Sequence, residues 1–218
     1  MSELHPALAD RADAVEALID IGRDFHARGW SVGTSSNYSV VASRAPLELV
    51  VTASGFHKGK LTRADFVRVG ADGTPTTPDQ PKSSAETQLH VMAAEVCTLL
   101  GERVGAVLHG HSVWATVLSD RFRDGITFAG YEMLKGLAGI TTHESEWVLP
   151  VVPNTQDIAS LAAELRAKIV GGDDSFRYGF VLAKHGLYTW GRDLGEAYRH
   201  FEVLEFLMEC EGRRLSLG

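Results

Sequence analysis

The sequence predicts one α/β domain spanning residues 1–218, with a mixed central β-sheet flanked by helices. Three observations carry that prediction. Apolar residues make up 44% and charged residues 22% of a 218-residue chain, an ordinary globular composition with the length for a large core. Segments of helical period are interspersed with short β-rich runs, without a regular βαβ repeat. No internal repeat, low-complexity tract or long linker divides the chain; the Pro/Thr-rich residues 74–81 read as a surface loop.

Each element has its own signal. A first helix is expected over residues 7–28, where Val15, Leu18, Ile19, Gly22, Phe25 and His26 recur at helical spacing, with Gly29 as its C′ residue. Residues 31–36 form a small polar loop, and residues 38–42 and 47–52 are β-rich runs expected to pair. A second helix starts at Ser83 or Ser84, with Leu89, Met92, Ala93, Val96, Leu99 and Leu100 as its apolar stripe. Residues 104–108 make a buried strand, 113–118 a helix and 131–137 a short helix. Residues 147–152 read as a strand ended by Pro153. Residues 158–170 form a helix with Leu161, Leu165 and Ile169 on one face, and 179–183 and 187–190 are strands. The last helix opens with Asp193 as N-cap and Glu196 three residues on. Its stripe is Leu194, Ala197, Tyr198, Phe201, Leu204 and Met208.

Charge narrows the function classes. Lys plus Arg is 21 and Asp plus Glu is 28, so the net charge is −7. That opposes a phosphate-tracking nucleic-acid binder. No apolar run of about 18 residues marks a membrane span. Residues 1–20 carry five acidic groups and Arg11, without the basic and apolar regions of a signal peptide. Cys97 and Cys210 form no CxxC pair and fit a reducing cytoplasm, with Cys97 read as a small core thiol. Rossmann and P-loop glycine patterns are absent.

Nine histidines prompt a search for metal ligands. His109-Gly110-His111 directly follows a predicted strand. Residues i and i+2 on extended backbone point the same way, so two imidazoles reach one cation, and Gly110 allows close backbone approach. His185 follows a second predicted strand. Three neutral imidazoles suit zinc, with a position open for water or substrate, provided the two strand ends meet. The ordinary alternatives are chance histidines at strand ends. Ser83 to Glu86 has capping-box spacing, and spacing alone favours a cap over a metal-facing carboxylate for Glu86. Residues 33–37, 54–58 and 82–84 are Gly/Ser-rich and could cradle a phosphate, with Lys58 and Lys82 supplying charge; turns have the same composition. Glu132, beside Lys135, reads locally as an exposed helical residue. His5, His26, His90, His143 and His200 read as structural or solvated.

Together, residues 33–37, Ser54-Gly55, residues 83–86, His109-Gly110-His111 and His185-Gly186-Leu187 resemble the class II aldolase/adducin family over nearly the whole chain. Residues 54–58, 130–136, 154–157 and 185–191 resemble its dehydratase branch, a hydro-lyase of methionine salvage. The resemblance implies a three-layer, class II aldolase-like fold. It implies one zinc per subunit on His109, His111 and His185. Ser36, Asn37, Ser54, Gly55, Ser83 or Ser84 and Lys58 would then line a sugar-phosphate pocket. It puts Glu132 in an acid/base role and matches Glu86 to the carboxylate beside the metal in related aldolases. One departure is Ser36, where the family usually has Gly. The implied assembly is a homotetramer with sites between subunits, a small-molecule sugar phosphate as partner, and neither nucleic acid nor membrane. A sugar-phosphate aldolase, an epimerase and a non-catalytic adducin-like module are the alternatives.

Overall fold

The computed structural model describes residues 2–99 and 103–217, without the side chains of 97–99. The readings of Cys97, Leu99 and Leu100 therefore lie outside the described residues. The first helix begins with a 3-10 turn, Pro6–Arg11, and only then becomes α1 (Ala12–Ala27). The strands β1 (Asn37–Arg44) and β2 (Leu47–Thr52) pair antiparallel as expected. Beside them lies β3 (Phe66–Gly70), which the sequence reading does not predict. Its apolar residues flank Arg68, whose guanidinium is matched by Asp10 and Glu48, contacts no local pattern can show.

α2 runs over Thr87–Leu99, starting after Ser84, and the Ser83 hydroxyl donates to the Gly73 carbonyl. β4 (Ala106–Gly110) leads through the N-cap Ser112 to α3 (Val113–Arg121). The short helix near residue 131 is a 3-10 turn, Glu132–Gly136. The single strand expected over 147–152 is two. β6 (Glu146–Leu149) forms a separate ribbon with β5 (Ile126–Ala129), and β7 (Val151–Val152) joins the main sheet. Pro150, which has no N–H to donate, stands at the break. α4 (Ile158–Val170) follows the Asp157 cap, and β8 (Gly179–Leu182) and β9 (Gly186–Gly191) form a hairpin. α5 (Leu194–Leu217) starts where the Glu196 amide donates to Asp193 Oδ1 at 2.8 Å; the Glu196 carboxylate accepts from the Arg192 amide.

The main sheet has the order β3-β2-β1-β4-β9-β8-β7. It is mixed because β7 and β8 are parallel while the other pairs are antiparallel. Alternate residues feed two cores. Tyr38, Val50, Leu108 and Leu187 pack with α1, α3 and α5, whereas Val51, Val107 and Tyr188 pack with α2 and α4. The result is three layers. Among the described residues, no helix is long and apolar enough to cross a membrane.

Candidate metal centre and substrate pocket

The centre grows from the last residues of β4. His109 lies two positions beyond Val107, so it shares the sheet face covered by α2 and α4. Its cross-strand partners are Asn37 on β1 and Tyr188 on β9. The Tyr188 ring stacks on His109 with centroids 3.9 Å apart, and Phe180 stacks on Tyr188 at 5.0 Å. His111 is placed by its amide, which donates to the Trp30 carbonyl at 2.7 Å. His185 sits in the β8–β9 turn beside Lys184, a left-handed residue with φ 57°. The two strand ends do meet. A Cβ on Gly186 would lie 2.9 Å from the His109 ring and 2.3 Å from the Gly110 carbonyl oxygen, an approach only glycine permits.

The three imidazoles converge through their Nε2 atoms. His109 Nε2 is 2.8 Å from His111 Nε2, which is 3.1 Å from His185 Nε2. His109 Nδ1 lies 3.0 Å from the Leu187 carbonyl and must donate to it, so its Nε2 presents a lone pair. His185 Nδ1 faces Asn154 Oδ1 at 3.3 Å, which sets the same tautomer there. Burial first, then the neighbouring imidazoles, hold His109 well below the usual histidine range and push His111 down to about 4. Three ring nitrogens this close fit a shared cation: one proton on His111 Nε2 cannot satisfy both neighbours. The donor set is the borderline nitrogen type that suits zinc.

Glu86 stands at the same point. Its Oε1 is 3.2 Å from His185 Nε2 and its Oε2 is 3.7 Å from His109 Nε2. Asn37 Nδ2 donates to Oε2 at 2.7 Å. This corrects the capping-box reading: the carboxylate faces the histidines, and the helix start is held by the Ser84 hydroxyl, which accepts from the Glu86 amide. Spacing could not separate the two because both begin with a carboxylate at a helix start.

In front of the histidines opens a cavity of about 770 Å³, within the range of small-ligand sites. Ser36, Asn37, Ser54, Gly55, Lys58, Ser83, Ser84, Glu86, His111 and His185 all line it, with His109 fully buried behind them. Lys58 is buried and donates to the Phe56 and Thr34 carbonyls at 2.8 and 3.3 Å. Burial pushes its amine down to about 8, against the opposing charges of Asp65 and Glu86. Ser36 has φ 75°, a left-handed conformation that explains why glycine suits this position.

Glu132 is not brought to this cavity. It opens its 3-10 turn with a side chain 72% exposed, bonded to Lys135 and 3.6 Å from His143 Nδ1. Two residues beyond the predicted set take part. Asn154, in the motif at 154–157, orients His185 and lines the cavity. His90, read from sequence as structural or solvated, is wholly buried and bonded to Asn37; its signal is a position four residues after Glu86, one helical turn on.

Comparisons with known proteins agree with this geometry. The family described as Class II Aldolase and Adducin N-terminal domain matches residues 16–211. A methylthioribulose-1-phosphate dehydratase of Sorangium cellulosum is 42% identical over 214 residues, covering 96% of each chain. One of Azotobacter vinelandii is 43% identical over 208 residues, covering 95% of this chain and 97% of its own. Among solved structures, an L-fuculose 1-phosphate aldolase superposes with TM-score 0.71 at 21% identity, covering 95% of this chain and 88% of its own. At that identity the superposition speaks for the fold alone.

Proposed function

The chain belongs to the class II aldolase and adducin family, and on that premise we propose that it is a zinc-dependent hydro-lyase of methionine salvage. It removes water from 5-methylthioribulose 1-phosphate to give 2,3-diketo-5-methylthiopentyl-1-phosphate. The observation that carries the reading is the convergence of His109, His111 and His185 on one wall of a cavity whose other walls hold Lys58 and the Ser54–Gly55 turn. Two relatives 42–43% identical over nearly their whole length, both named for this dehydration, favour it over aldol cleavage.

The reaction breaks C3–H and C4–O. A proton beside a ketone is weakly acidic and hydroxide leaves poorly, so both steps need help. His109, His111 and His185 would hold the zinc, which would supply Lewis-acid chemistry to a proton beside the substrate's ketone. Glu86, oriented by the Asn37 amide that donates to its Oε2, accepts the C3 proton. Glu132 gives a proton to the departing C4 hydroxyl, and the resulting enol takes a proton at C4 to become the diketone. Lys58 and the small residues of the three loops hold the phosphate and fix C3 and C4 in place. Because Glu132 lies outside its own chain's cavity, it serves the cavity of a neighbouring copy in a homotetramer.

Mixing variants tests that arrangement. Glu132→Gln should keep zinc and lose turnover, and His185→Ala should lose both. Assembled together, the two should regain turnover, because some sites then combine an intact histidine cluster with an intact Glu132. No recovery in mixed oligomers would place the acid elsewhere.

A further inference from the structure

Behind Glu86 runs a buried line of hydrogen bonds that the reaction as described does not use. Ser39 on β1 and His90 on α2 are both buried, His90 completely. Ser39 Oγ lies 2.7 Å from His90 Nδ1. His90 Nε2 is bonded to Asn37 Oδ1, and Asn37 Nδ2 lies 2.7 Å from Glu86 Oε2. Asn37 and Ser39 are two apart on an extended strand, so both side chains fall on the face that α2 covers. The Tyr188 ring packs edge-on to His90 at 5.9 Å.

The direction of every bond follows from one end. A carboxylate only accepts, so Asn37 must donate to Glu86 through its NH₂ group. That turns the Asn37 carbonyl oxygen, an acceptor only, toward His90, which must donate from Nε2. A neutral imidazole has a single N–H, so Nδ1 carries the lone pair and the Ser39 hydroxyl donates to it. Burial holds His90 uncharged, pushing it down to about 3. If the Asn37 amide turned over, its oxygen would meet the Glu86 carboxylate at a bonding distance with no proton between them. His90 with its proton on Nε2 adds to this, because its N–H would then meet an NH₂ group, and escape would require the proton to move to Nδ1 and the Ser39 hydroxyl to turn and accept it.

We propose that His90 is a positioning residue: its Nε2–H fixes the orientation of the Asn37 amide, which in turn keeps the Glu86 carboxylate aimed at the three-histidine centre. The proposal rests on the dehydratase reading only where turnover is measured. Two other readouts are independent of it.

Zinc-loaded protein labelled with ¹⁵N-histidine should show the His90 proton on Nε2; a proton on Nδ1 overturns the proposal. His90→Leu keeps an apolar side chain but no donor. It should lose roughly 10–100-fold in kcat and in zinc affinity measured against a chromogenic chelator, as outer-shell partners of metal sites typically do. KM should change far less. His90→Gln, which can donate toward Asn37 and accept from Ser39, should restore both quantities close to wild type. A folded His90→Leu protein with wild-type zinc affinity and kcat, or His90→Gln impaired as deeply as His90→Leu, contradicts the proposal. Should His90→Leu not fold, the tautomer of the wild-type protein and the His90→Gln result still decide. Absence of turnover in the wild-type protein would instead strike the dehydratase reading, leaving tautomer and zinc affinity to judge His90.

Discussion

At the scale of single residues, Lys58, the proposed phosphate partner, ties burial to a pH dependence that can be measured. Its amine is pushed down to about 8 by burial, so it loses its positive charge as pH rises through that value. kcat/KM for a phosphorylated substrate should therefore fall above about pH 8, and a profile taken from about pH 6 to 10 checks it. Lys58→Met should flatten that limb and lower kcat/KM roughly 10–100-fold, the scale of a lost charged hydrogen bond. The residue scale is also where the sequence was most uneven as a guide. His109 and His111 were legible because extended backbone points i and i+2 together. Glu86 was misread because a cap and a metal-facing carboxylate share one spacing. His90 was legible only as structural or solvated, because its partner Asn37 is 53 positions away in the chain.

At the scale of elements, the site depends on how closely β9 approaches β4. A Cβ on Gly186 would meet the Gly110 carbonyl oxygen at 2.3 Å and the His109 ring at 2.9 Å. The first contact is backbone, which cannot step aside. Gly186→Ala should cost about 1–3 kcal/mol of stability, the usual scale of overpacking, and should weaken zinc binding by moving His109. Urea unfolding with a zinc titration measures both, and an unchanged midpoint would show that the strands can part without harm. Long periodic elements, α1, α4 and α5, were legible because their apolar stripes are set by local repetition. β3 and β5 were not. β3 is a short run interrupted by Arg68, whose partners Asp10 and Glu48 are distant in the chain, and β5 is only four residues long with alternate residues exposed. The split between β6 and β7 was signalled by Pro150, but the sheet each half joins is decided by tertiary pairing.

At the scale of the whole molecule, α5 carries a carboxylate through the core. Glu205 is buried, and burial pushes it up to about 8 against the pull of the Ser112 hydroxyl. Its folded-state value lies above the ordinary carboxyl range, so the folded protein keeps a proton that the unfolded chain has released. Its contribution to stability falls as pH rises from the ordinary range to about 8, where the buried charge is fully felt. Glu205→Gln has no proton to lose. Its stability relative to wild type should rise by roughly 1–3 kcal/mol between about pH 5 and pH 8; a constant difference would show that Glu205 does not hold its proton in the folded state. The mixed sheet flanked by helices was legible in the order of elements, and so was Glu132 as an exposed residue beside Lys135; the neighbouring copy that we propose it serves leaves no mark in a single chain's pattern. Zinc-loaded protein is incubated with 5-methylthioribulose 1-phosphate and the product is weighed by mass spectrometry. A single phosphorylated product lighter by one water is expected. Two carbon fragments, an aldehyde and a ketone phosphate, would contradict it and make the protein an aldolase on the same histidine centre.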